Sequence, residues 1–196
     1  MTGREQTTLL GHLVDMAGLA PDVAALAATV EQAAAGDRIA FSRIVAAYHG
    51  EMIRVAFVVA GGDQDVAEDA VQAAWSIAWR KLHSLRDPGN VKPWLLKVAA
   101  NEARQLVRRE RRRPVVEIDP GQLDPTAVDP AGRAADLDLE SAFRHLPADD
   151  QALLALRYVA GLDSFEIAAA TGTSGSAVRG RIARALGRLR RELTDG

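Results

Sequence analysis

A helix long enough to cross a small domain is written into residues 93–113, PWLLKVAANEARQLVRRERRR. Proline at a first helical position, followed by residues that nearly all propagate a helix, predicts one continuous rod of about 30 Å. At 100° per residue Leu96, Ala99, Ala100, Ala103, Leu106 and Val107 share one side, and Trp94, Lys97, Asn101, Arg104, Arg108 and Arg111 line the other. The first face is built to be buried. The second sets cations, an amide and an aromatic ring in a row, which is the chemistry that tracks a phosphate backbone and meets bases. A charge run alone more often marks a solvated face, so this helix takes on a nucleic-acid meaning only beside a second basic helix at the C-terminal end.

Nothing in the chain alternates apolar and polar residues with period two for long, so the expected fold is all-α. Helical spacing runs from Asp22 to Gly36, then over residues 40–60 with Phe41, Ile44, Tyr48, Ile53 and Phe57, ending at Gly61 and Gly62. Residues 64–82 place Ala67, Val71, Ala74, Trp75, Ala78 and Leu82 on a core face. Opposite lies a polar stripe of Asp65, Glu68, Asp69, Gln72 and Ser76, with Trp79 at the border. That stripe reads either as a solvated face or as a docking surface for a basic partner, with Trp79 as anchor. HSLRDPGN at 83–90 is turn chemistry and reads as a loop. Residues 114–136, rich in Pro, Asp and Gly, read as a flexible acidic linker. The expected organisation is two small helical domains, residues 21–113 and 137–196, joined by this linker, with residues 1–20 as an N-terminal tail of no assigned role.

In the second domain, residues 147–161 read as one helix. Asp163 is an N-cap with Glu166 three residues on, opening a short helix to Thr171. Gly172-Thr173-Ser174 makes a turn, and a long helix follows over residues 175–193. Short helix, glycine-containing turn and longer helix is the helix-turn-helix layout. Val178, Ile182, Ala185, Leu186, Leu189 and Leu193 face inward. Arg181, Arg184, Arg188 and Arg191 occupy the far side, with Ser176 and Arg179 near the end that enters a major groove.

The net charge of −2 argues against a simple basic nucleic-acid binder until the charges are located. Residues 79–113 hold eleven Lys or Arg against three acids, and residues 175–191 hold six Arg and no acid, whereas residues 1–75 hold ten acids against four Arg. Two basic helices in an otherwise acidic chain point to two contacts with a polyanion. The absence of Cys excludes disulfides and thiolate-bound metals. No apolar run reaches membrane-spanning length and the first residues lack a signal-peptide layout, so a soluble cytoplasmic protein without membrane insertion is expected.

With both basic helices placed, the chain resembles the extracytoplasmic-function sigma factors of the bacterial sigma-70 family over about residues 22–113 and 137–193. Ala67-Glu68-Asp69-Ala70-Val71-Gln72 and Trp75 are similar to the family's core-binding motif. Trp94-Leu95, Ala100-Asn101 and Arg108 match its promoter-melting segment. Leu146-Pro147, Leu156-Arg157-Tyr158, Gly161-Leu162, Glu166-Ile167-Ala168, Val178-Arg179 and Arg184-Ala185 match its C-terminal pattern. The chain departs from that pattern at Gln105, Gln151, Ser176-Ala177 and Gly180, and the last three positions leave the preferred promoter sequence open.

The resemblance implies an alternative sigma factor. Asp65, Glu68, Asp69, Gln72 and Trp79 would bind core RNA polymerase. Lys92, Trp94, Lys97, Asn101, Arg104 and Arg108 would hold the promoter −10 element as it melts, with residues 84–91 capturing a flipped base. Ser176, Arg179, Arg181 and Arg184 would read the −35 element. The resemblance further implies an anti-sigma protein as inhibitory partner, and the end of the chain at Gly196 reads as lacking a C-terminal sensory domain.

The competing readings belong to other classes. His12, His49, His83 and His145 are scattered, with no HExxH and no phosphate-binding glycine loop, and Asp149-Asp150 points apart on consecutive helical positions, so neither an enzyme nor a cofactor is expected. A stand-alone helix-turn-helix regulator would bind duplex DNA without polymerase, and an adaptor that has lost DNA binding would leave six arginines in the last helix unexplained.

Overall fold

Aspartate side chains fix where three of the helices begin. Asp37 Oδ1 accepts from the N–H groups of Ile39 and Ala40, at 2.7 and 3.2 Å, and Asp63 accepts from Val66 N–H. Asp163 accepts from Phe165 and Glu166 while Glu166 Oε2 takes the Asp163 N–H, closing a capping box. Each carboxylate satisfies donors that the first helical turn leaves without partners.

The computed structural model describes residues 23–110 and 130–195, and the regular elements within them are all helical. The N-terminal tail of residues 1–20 and the expected linker up to residue 129 lie outside the described residues, as do residues 111–113. The first half contains α1 (Val23–Ala34), α2 (Arg38–Val59), α3 (Gln64–Lys81) and α4 (Val91–Glu110). Two short 3-10 turns, Leu82–Ser84 and Pro88–Asn90, replace the plain loop expected between α3 and α4. Asp87 organises the second, accepting from Gly89 N–H and Asn90 Nδ2. The α4 helix starts two residues before Pro93, which still costs no hydrogen bond because the first four N–H groups of a helix have no intrahelical acceptor.

The second half contains α5 (Pro130–His145), α6 (Ala148–Leu154), α7 (Ser164–Thr171) and α8 (Gly175–Asp195). The backbone is helical from Pro130, so the stretch expected as linker ends seven residues early. The expected continuous α-helix to Gly161 is also corrected: α6 widens into a π-helical turn, Ala155–Val159, with Ala160 N–H donating to Ala155 O at 3.1 Å. Gly172, at φ 71°, supplies the left-handed C-cap of α7 that makes the tight turn into α8.

The faces follow the apolar periodicity. Ile44, Met52 and Val55 of α2, Ala67, Val71 and Ala74 of α3, and Leu95, Leu96, Ala99 and Ala103 of α4 are buried together. That core does not stop at the domain boundary: Leu153, Leu154 and Leu156 from the α6 segment and Ile167 of α7 belong to the same cluster. The second half therefore packs directly onto α2 and α4. No described helix is long and apolar enough to cross a membrane.

Candidate nucleic-acid interface

The acidic stripe of α3 is open to solvent. Asp65, Glu68, Asp69, Gln72 and Trp79 are all exposed, and all but Asp65 line a broad cleft between α2 and α3 whose floor includes Val45, His49 and Ile53. Its aromatic edge is built, not incidental. Phe41 lies edge-on to both Trp79 and Trp75, with centroids 5.0 and 5.7 Å away, and Trp75 Nε1–H donates to His49 Nδ1 at 3.2 Å. Trp79 is thus held upright at the rim with 40% of its surface free. Phe41, Val45, His49 and Ile53 are members of this site that α3 periodicity alone could not supply, because they come from the neighbouring helix.

The basic face of α4 is not open. Lys92 pairs with Glu51 of α2 at 2.9 Å, and Trp94 is half-buried against the core. Lys97 Nζ donates to the carbonyl of Ala170 in α7 at 2.7 Å. Arg104 is paired with Asp149 at the start of α6, and its Nε is buried without a hydrogen-bond partner. With Asn101 and Arg181 these groups line a narrow cleft between α4 and the second half. Arg108, one turn further on, is exposed. Five of the six residues expected to meet DNA here therefore face protein at least in part, and three of them face the second half of the same chain.

On α8 the arginines divide. Ser176, Arg179 and Arg184 are exposed, and the Ser174 and Ser176 hydroxyls lie 3.0 Å apart while Ser174 Oγ accepts from Ala177 N–H at the helix start. Arg181 is half-buried toward α4. Arg188, expected on the solvated far side, is instead paired with Asp150, which is 7% exposed. The α6 acid pair thus points two ways, Asp149 to α4 and Asp150 to α8.

Two helices with basic faces, the second in a helix-turn-helix, and one open acidic cleft with an aromatic rim can be compared with known proteins. The family model Sigma-70 region 2 matches residues 44–113, and Sigma-70, region 4 matches residues 136–189. The ECF RNA polymerase sigma-E factor of Escherichia coli is 32% identical over 170 residues, covering 80% of this chain and 87% of that protein. The chain belongs to the extracytoplasmic-function sigma factors of the sigma-70 family. The probable RNA polymerase sigma factor RfaY of Xanthomonas campestris is also 32% identical, over 169 residues, and there the chain spans 82% of itself but 42% of that relative's length. Among solved structures, CnrH in complex with the cytosolic domain of CnrY superposes with a TM-score of 0.63 at 26% identity, covering 87% of this chain and 97% of that one. The region 2 match spans α2 to α4 and the region 4 match spans α5 to α8, so the sigma-factor reading and the all-α, two-part fold stand together.

Proposed function

We propose that this sigma factor docks on core RNA polymerase through the α3 stripe and directs initiation at promoters whose −10 and −35 elements it contacts with α4 and α8. The observation that carries the first contact is the open acidic cleft. Asp69, Glu68 and Gln72 project beside a Trp79 held by Phe41, which is the arrangement of a polar rim around an aromatic anchor. Lys92, Trp94, Lys97, Asn101, Arg104 and Arg108 would hold the −10 strand, and Ser176, Arg179, Arg181 and Arg184 the −35 duplex.

Because Lys97 and Arg104 are engaged by α7 and α6, the packed arrangement is a resting form, and the two halves part before α4 meets DNA. Polymerase docking would supply that separation, and the chain between residues 110 and 130 would then hold both DNA-binding halves at high effective concentration on one promoter.

An inhibitory protein would act by keeping the halves together. The CnrH structure contains a bound CnrY domain, and here an apolar cleft between the end of α2 and the second half, lined by Phe57, Phe143, Tyr158, Val159, Leu186 and Leu189, has the size and character to take one face of an amphipathic helix. The test of the whole reading is transcription from a promoter library by bacterial core polymerase with and without the protein, each start being mapped. Protein-dependent starts that share two upstream elements at fixed spacing are expected. Tight duplex binding with no dependent start would instead identify a stand-alone regulator.

A further inference from the structure

Phe165 occupies the first turn of α7 and leaves 71% of its surface in water, so it is not a core residue. Its backbone is nevertheless fixed, because its N–H is one of the two donors held by the Asp163 cap at 2.7 Å. The ring reaches across the turn and lies on the start of α8. A Cβ placed on Gly175 would stand 3.3 Å from ring atom Cδ1 and 3.4 Å from Cε1, and real side chains seldom come so close. The glycine is what lets the ring seat there.

Above that ring sits the guanidinium of Arg179, 5.9 Å from its centroid. The same guanidinium folds back along α8, its Nη1 3.5 Å from the Cβ position of Gly175. A cation at a helix N-terminus is in the wrong field, since the unpaired N–H groups there carry partial positive charge. No carboxylate among the described residues pairs with Arg179. The negative face of the aromatic ring is the group that holds it against that field.

We propose that Phe165 is a positioning residue for promoter readout: it fixes the Arg179 guanidinium at the leading end of α8 and so sharpens the base preference of the −35 contact. The proposal rests on the reading of α8 as the DNA-reading helix. Holding a long, rotamer-rich side chain in place before binding lowers the entropy lost on contact, and a wrong base then costs more because the arginine cannot swing to another acceptor.

The test is transcription by core polymerase with the full chain on promoters randomised across the upstream element, comparing wild type, Phe165→Ala, Phe165→Tyr, Arg179→Ala and the double variant. Arg179→Ala should flatten preference at one or two positions. Phe165→Ala should flatten the same positions by about 2- to 5-fold, the size of an exposed cation–π contact, and leave the others unchanged. Phe165→Tyr should keep the wild-type profile, and the double variant should match Arg179→Ala alone. An unchanged profile for Phe165→Ala overturns the proposal, as does a double variant that loses more than Arg179→Ala, which would mean that the ring touches DNA itself. An unchanged profile for Arg179→Ala would remove the DNA reading of that residue and the positioning role with it. Thermal unfolding of Phe165→Ala should match wild type, because the ring buries little.

Discussion

The carboxylate of Asp149, on the first turn of α6, is paired with the guanidinium of Arg104 on α4, forty-five positions earlier in the chain. Together with the bond from Lys97 to the Ala170 carbonyl, it places protein oxygens where the proposed −10 contact would place phosphate oxygens. Asp149 is more than half exposed, so the pair alone is worth at most about 1 kcal/mol. It tips the closed arrangement without carrying it.

Asp149→Lys turns that attraction into repulsion between like charges at the same place. Binding of a single-stranded −10 oligonucleotide to the full chain, followed by fluorescence anisotropy near 0.1 M salt, should tighten by about 3- to 10-fold. The gap between variant and wild type should narrow as salt rises and screens the cleft. Equal affinities at every salt concentration would mean that α4 is not masked by the second half.

Asp150 and Arg188 make the companion pair, with the carboxylate nearly buried and the guanidinium about 42% exposed. Breaking a fully buried pair costs about 3–5 kcal/mol, and solvent access to the arginine reduces this to about 1–3 kcal/mol for Arg188→Ala. Chemical denaturation should show that loss. Arg188→Met with Asp150→Leu should recover most of it, since two apolar groups leave no charge stranded. A double variant less stable than either single one would contradict this account.

The cleft on α3 makes a separate prediction. Trp79→Ala removes the raised aromatic rim while leaving Trp75 and its bond to His49 in place, so the fold should lose little. Affinity for core polymerase, measured by surface binding of the purified proteins, should fall by about 10-fold or more, as for an interface anchor. DNA binding by α8 should not change. Unaltered polymerase affinity would move the docking surface off this face.

Much of this arrangement is legible from local chemistry. The Asp163 and Glu166 pair, Gly172, and the apolar stripes of α3, α4 and, as far as Leu189, α8 fall where N-cap, C-cap and period 3.6 place them, whereas Leu193, expected to face inward, is 43% exposed because α8 runs past the core there. Periodicity says which face of α4 is polar but not what lies against it, and the partners of Lys97 and Arg104 are more than forty residues away in the chain. Arg188 reads as solvated for the same reason. The early start of α5 did have a signal, Pro130 at a first helical position, which the surrounding Pro, Asp and Gly obscure. Phe165 carries a weaker one: two residues after an N-cap, it stands off the face that Ile167 and Ala168 bury.

Gln151 shows what one departure from the family pattern does in this chain. It is 5% exposed, and its Nε2 lies 2.9, 3.1 and 3.1 Å from the carbonyl oxygens of Phe143, Arg144 and Leu146. Two N–H groups are thus shared among three acceptors at the end of α5, where the last carbonyls of a helix have no intrahelical donors. Gln151→Leu keeps the packing volume and removes both donors; Phe143 O keeps the Leu146 N–H, but the carbonyl of buried Leu146 loses this donor, at about 1–3 kcal/mol. Denaturant unfolding should show that loss, and hydrogen exchange should rise first in the last turn of α5. Gln151→Glu, an acceptor facing acceptors, should be worse than leucine. If leucine proves neutral, water has replaced the amide and the cap is not what fixes the α5–α6 corner.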